Sequence, residues 1–105
     1  ETKLGELLQW FEKDDSHIIT KLARFHIEFE GVHPFIDGNG RTGRLIVNLE
    51  LMKAGYPPIY IKYTDRMRYY NAFDEYHTKH NLSAMESLFA EYMNQHFDLY
   101  LNVLD

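Results

Sequence analysis

The sequence predicts an all-α fold. Three observations carry that expectation. Apolar residues recur at helical spacing in one segment after another, all three prolines fall between those segments, and strand-like alternation is confined to the five residues "IYIKY" at 59–63.

Taken in order, "KLGELLQWFEKD" (3–14) reads as a helix burying Leu4, Leu7, Leu8 and Phe11. In "SHIITKLARFHIEFEG" (16–31), Ile18, Leu22, Phe25 and Phe29 fall at i, i+4, i+7 and i+11, with Ile19 and Ala23 beside them. Ser16 is the expected N-cap. His17, His26 and His96 carry no accompanying signal and read as partly exposed polar residues on helices. After the polar stretch 33–44, "RLIVNLELMKAG" (44–55) puts Leu45, Leu49 and Met52 on one stripe, read here as core, and Gly55 is the expected C′ residue. Pro57 and Pro58 prevent continuation, and "IYIKY" reads as a short extended connector. Helices over Asp65 to about Lys79 and Leu82 to about Leu104 complete the set.

Composition bounds the function. The chain has 105 residues, 45% of them apolar, with seven Phe and eight Tyr, which suits one small domain with a genuine core and not a disordered segment. Absence of cysteine excludes a disulfide framework and Cys-based zinc sites. His77 and His80 stand three apart on a predicted helix but lack the partners that a structural metal needs. A net charge of −5 argues against a nucleic-acid partner. The longest apolar run, Leu45 to Met52, is interrupted by Asn48 and Glu50, so no membrane span is expected. No signal peptide is visible, and a cytoplasmic location is the expectation.

The chemistry concentrates in "HPFIDGNGRTGR" (33–44), a net positive island in an acidic protein. Pro34 disfavours the α region at His33, so that histidine sits at or just past a helix end and faces a loop. Phe35 and Ile36 are the apolar anchors of that loop. Gly38 and Gly40 permit a tight turn around Asn39. A helix beginning near Gly40 or Arg41 offers amides without intrahelical acceptors and the positive end of its dipole, which together make a phosphate cradle. Arg41 and Arg44 are neighbours on its first turn, and two guanidiniums beside an amide nest suit a polyphosphate. Asp37 would repel phosphates unless a hard cation lay between, which implies Mg²⁺. His33 suits a general base for an incoming hydroxyl. Phosphoryl or nucleotidyl transfer is the reaction class that uses all these parts.

The stretch resembles the Fic family signature H-P-F-x-[D/E]-G-N-G-R-x-x-R, matching every specified position, and similarity extends to "ARFHIEFEGV" upstream and to "LIVNLELMKAGYPP" and "RMRYYNAF" downstream. The resemblance implies a Fic-fold helical bundle core over residues 1–105. It also implies AMPylation, the transfer of AMP from ATP to a Ser, Thr or Tyr hydroxyl of a target protein. Carried over, His33 is the base, Asp37 holds Mg²⁺, and Gly38, Asn39 and Gly40 form the anion hole. Arg41 then organises the β-phosphate side with Thr42 beside it, and Arg44 reaches the γ-phosphate. Relatives place a Tyr and, seven residues on, an Asn near the adenine. Tyr70 matches the first, but His77 stands at the second, which leaves UMP or GMP transfer open.

The family's inhibitory motif, [S/T]-x-x-x-E-[G/N], finds only Thr2 to Glu6, with Leu7 where Gly or Asn belongs, and the target-docking flap is not seen. The expectation is a C-terminal part of a longer protein, inhibited by a segment or partner outside it, with a homo-oligomer as a further option. Removal of AMP from a modified protein, and a non-catalytic nucleotide-binding or toxin–antitoxin module, are the competing readings.

Overall fold

The computed structural model describes the backbone of residues 2–32 and 39–104 and the side chains of 3–31 and 41–95. Among the described residues five α-helices carry the fold: α1 (Thr2–Lys13), α2 (Ile18–Val32), α3 (Asn39–Lys53), α4 (Arg66–Lys79) and α5 (Ser83–Leu104), with a 3-10 turn (Tyr63–Asp65) before α4. No strand forms among the described residues, as the patterning predicts.

α2 is the hub, packing against α1, α3 and α5, while α4 lies on α5. Its buried residues Leu22, Ala23, Phe25, His26, Ile27 and Phe29 wrap most of its circumference, so neighbours cover it on several sides. Met85, Leu88, Phe89, Tyr92 and Met93 of α5 close the core from the other side.

The helix ends follow their chemistry, with one correction. The ring of His17, not the hydroxyl of Ser16, caps α2: Ile19 N–H donates to His17 Nδ1 at 3.1 Å, while Ser16 N–H donates to Asp14. α3 ends as expected at Gly55, whose φ is 92°. Tyr56 N–H donates to Leu51 O and Gly55 N–H to Met52 O, the paired bonds of a Schellman motif. α4 ends on a non-glycine left-handed residue, His80, at φ 54°.

Three readings of burial are overturned. Leu8 is exposed, and so is the whole expected core stripe of α3: Leu45 is 58% exposed, Leu49 and Met52 each 47%. α3 instead buries Gly43, Val47, Asn48 and Leu51, one face at i, i+4, i+5 and i+8. His26, expected to be partly exposed, is 1% exposed.

The connector 56–62 is non-helical, with Lys62 extended at its end, while Tyr63, expected to belong to it, opens the 3-10 turn instead; two side chains hold the connector. Asn48 uses both ends of its amide: Nδ2 donates to Ile59 O and Oδ1 accepts from Ile59 N–H, each at 2.9 Å. This buried amide satisfies one residue of the connector as a neighbouring strand would, since two backbone groups would otherwise lie unpaired. Farther along, Tyr92 Oη accepts from Lys62 N–H at 3.0 Å and donates to the Asp65 carboxylate.

Candidate functional site

α3 begins at Asn39, so Asn39, Gly40, Arg41 and Thr42 supply its first-turn amides, which lack intrahelical acceptors. Of the expected site residues, His33, Asp37 and Gly38, with the anchors Phe35 and Ile36, lie outside the described residues. Only the backbone of Asn39 and Gly40 is described. Arg41 on that first turn and Arg44 on the second are both exposed, with Thr42 half-buried between them.

Two clefts meet at Arg44. One, of about 410 Å³, runs between α3 and the connector, lined by Arg41, Arg44, Leu45, Met52, Pro58 and Tyr60 among others. Leu45 and Met52, two of the exposed apolar residues of α3, therefore form part of a cleft wall. The second, of about 300 Å³, joins Arg44 to Lys62, Tyr63, Arg66, Tyr69 and Tyr70. Here the Arg66 guanidinium stacks 3.8 Å from the centre of the Tyr63 ring and donates to Tyr63 O at 3.2 Å. The walls carry three cations, a surface suited to an anionic ligand.

Tyr70 shares this cleft with Arg44, and its ring tilts against Tyr69 with centroids 5.8 Å apart. His77 lines neither cleft. Its ring carbon lies 3.8 Å from where a Cβ on Gly31 would stand, beside the end of α2 and two residues from His33 in sequence.

Behind Arg44 lies a polar cluster that the sequence reading did not identify. Arg44 Nη1 donates to Tyr69 Oη at 3.5 Å, Tyr69 Oη donates to Glu30 Oε2 at 3.2 Å, and His26 Nε2 lies 2.5 Å from Tyr69 Oη and 3.2 Å from Glu30 Oε2. Burial, with the Arg44 charge nearby, pushes the His26 imidazole down to about 3, outweighing the adjacent carboxylate, so the ring is neutral.

The network assigns the tautomer. With the proton on Nε2, His26 donates to Tyr69, and Nδ1 is a bare lone pair; the other tautomer would bury an unpaired N–H, a costlier state. Nδ1 has no hydrogen-bond partner and faces Gly43, where a Cβ would sit 3.3 Å away. Burial and Glu30 raise the Tyr69 phenol, which stays protonated. One signal did point to His26: Leu22, His26 and Phe29 share a helical stripe at i, i+4 and i+7.

The Fic/DOC family profile matches residues 1–51. Protein adenylyltransferase Fic of Drosophila ananassae is 36% identical over 93% of this chain, and that of Drosophila grimshawi 37% identical over 88%. Fic-1 from C. elegans superposes with a TM-score of 0.85 at 30% identity, over 96% of this chain and 31% of that one. The chain belongs to the Fic family. Its helical bundle is a Fic fold, and it spans about a fifth of the length of the curated Fic relatives it matches. Among the described residues of this Fic chain no helix is long and apolar enough to cross a membrane.

Proposed function

We propose that this chain forms the catalytic core of a protein adenylyltransferase that moves AMP from ATP to a hydroxyl side chain of a target protein. The observation that carries the reading is the pair Arg41 and Arg44, exposed on the first two turns of α3 directly after "HPFIDGNG", with Tyr70 in the cleft beside Arg44. The relatives named protein adenylyltransferase support the same reaction.

In this reading Gly38, Asn39 and Gly40 present amides to the phosphates, Arg41 and Thr42 organise the β-phosphate side, and Arg44 holds the γ-phosphate. His33 accepts the proton of the target hydroxyl as its oxygen attacks the α-phosphorus and pyrophosphate leaves. Tyr70 packs against the base, and His77 stands where relatives place Asn. Residues 33–44 hold a single carboxylate beside two arginines, a donor set that fits Mg²⁺ carried mainly by phosphate oxygens and not by a protein cage. Asp37 would hold that ion, which would neutralise charge on the phosphates.

The test incubates the full-length protein with labelled ATP, GTP or UTP and cell lysate. Label is expected on protein with ATP. His33→Ala should keep ATP affinity within about twofold and lose at least about a hundredfold in transfer, the usual contribution of a general base. Equal labelling by the wild type and His33→Ala would remove the assignment, and labelling only with GTP or UTP would change the nucleotide.

A further inference from the structure

We propose that Tyr69, braced by Glu30 and His26, is a positioning residue that presets the Arg44 guanidinium for a terminal phosphate. The inference rests on the adenylyltransferase reading and deepens it.

Arg44 is an exposed arginine on the second turn of α3, and a free side chain of that length would sample many rotamers. One oxygen limits that sampling. Tyr69 Oη comes from α4, the groups beneath it from α2 and the guanidinium from α3, so three helices converge on a single hydroxyl.

The roles around that oxygen leave no choice of direction. Arg44 has only donors, and His26 with its proton on Nε2 donates as well. The Tyr69 proton must then go to Glu30 Oε2, the acceptor 3.2 Å away. Donation to a carboxylate makes the phenol oxygen a better acceptor for Arg44. The 3.5 Å reach is long for a hydrogen bond, which leaves the guanidinium able to turn towards a second anionic partner. Both tyrosines line the cleft, but Tyr69 is 7% exposed against 57% for Tyr70, so Tyr69 is the one fixed firmly enough to serve as a brace.

The test compares ATP and ADP in the full-length protein, because only ATP carries the phosphate that Arg44 is held to meet. For Tyr69→Phe, the KM for ATP should rise about threefold to tenfold, the range for losing one modest hydrogen bond to a charged group. The kcat at saturating ATP and the Kd for ADP should stay within about twofold. In an Arg44→Lys background the same substitution should add nothing, since a residue acting only through Arg44 is not additive with its loss.

Equal weakening of ATP and ADP, or an undiminished effect in the Arg44→Lys background, would show that Tyr69 serves the fold alone and overturn the proposal. Should Tyr69→Phe fail to fold by circular dichroism, Glu30→Gln, which keeps shape and removes the charge, must reproduce the ATP-selective loss, and its failure to do so overturns the proposal equally. Wild-type protein that transfers no AMP refutes the parent reading and this one with it. Wild-type transfer with an unaltered KM in Tyr69→Phe refutes this one only.

Discussion

α2 and α3 are both fifteen residues long and lie against each other, yet they use their apolar residues in opposite ways. In α2 the expected residues Leu22, Ala23, Phe25 and Phe29 are buried. In α3 the expected stripe of Leu45, Leu49 and Met52 is exposed, and the inward face is Gly43, Val47, Asn48 and Leu51. The difference lies in what each helix must do. α2 packs against three helices and sets its polar groups, His26 and Glu30, beneath Tyr69, whereas α3 must also carry two arginines near its start, line a cleft along one side and hold the connector through Asn48. Helical period identifies a helix; it does not say which of two apolar stripes meets the core.

The sharpest way to break this comparison is a matched pair on α3. Leu51→Ala should cost about 3 kcal/mol, because its side chain is fully buried and leaves a cavity. Leu49→Ala, two residues away with an identical change in helix propensity, should cost about 0.5 kcal/mol or less. Urea unfolding of the two variants decides it, and equal losses would mean that α3 is turned the other way.

The next effect belongs to the seam between the helices. The folded pKa of His26, about 3, lies below the ordinary value of 6.5 that the unfolded chain regains. The stability from its neutral burial is therefore complete above about pH 6.5. It falls as pH drops towards 3, because the unfolded chain binds a proton that the fold refuses. One proton corresponds to about 1.4 kcal/mol per pH unit, or about 2 kcal/mol between pH 6.5 and 5. His26→Phe should lose about that much less across the same interval. Identical pH slopes for the two proteins would place a proton on His26 in the fold.

These cases also show what the sequence made legible. The boundaries of α1, α4 and α5 and the Gly55 stop could be read because local chemistry sets them: periodicity, prolines and a residue free to take positive φ. The positive start of α3 was legible for the same reason, since Arg41 and Arg44 lie three residues apart on one helix. His26, Glu30 and Tyr69 were not, because Tyr69 lies 43 residues from His26 and their contact exists only once α4 has docked on the bundle. Gly43 gave no signal either: as a glycine it adds nothing to an apolar count, so it does not mark the inward face it belongs to.

That glycine gives the smallest and most pointed effect. Gly5 in α1 and Gly43 in α3 are both helical, but a Cβ on Gly5 would meet nothing within 4 Å, whereas one on Gly43 would lie 3.3 Å from His26 Nδ1 and from Phe29 Cδ1. Gly5→Ala should therefore stabilise the chain by about 0.5–1 kcal/mol, the ordinary gain in helix propensity. Gly43→Ala has the same backbone gain to draw on, but its methyl must push a buried ring and a phenylalanine apart, an overpacking cost of about 1–3 kcal/mol. A net loss of about 1 kcal/mol is expected. Because the displaced groups are His26, the brace under Tyr69, and Phe29, the substitution should also weaken ATP more than ADP in the full-length protein. A Gly43→Ala chain as stable as Gly5→Ala would show that α2 and α3 are not in close contact at this point, and the account of why α3 turns this face inward would fall.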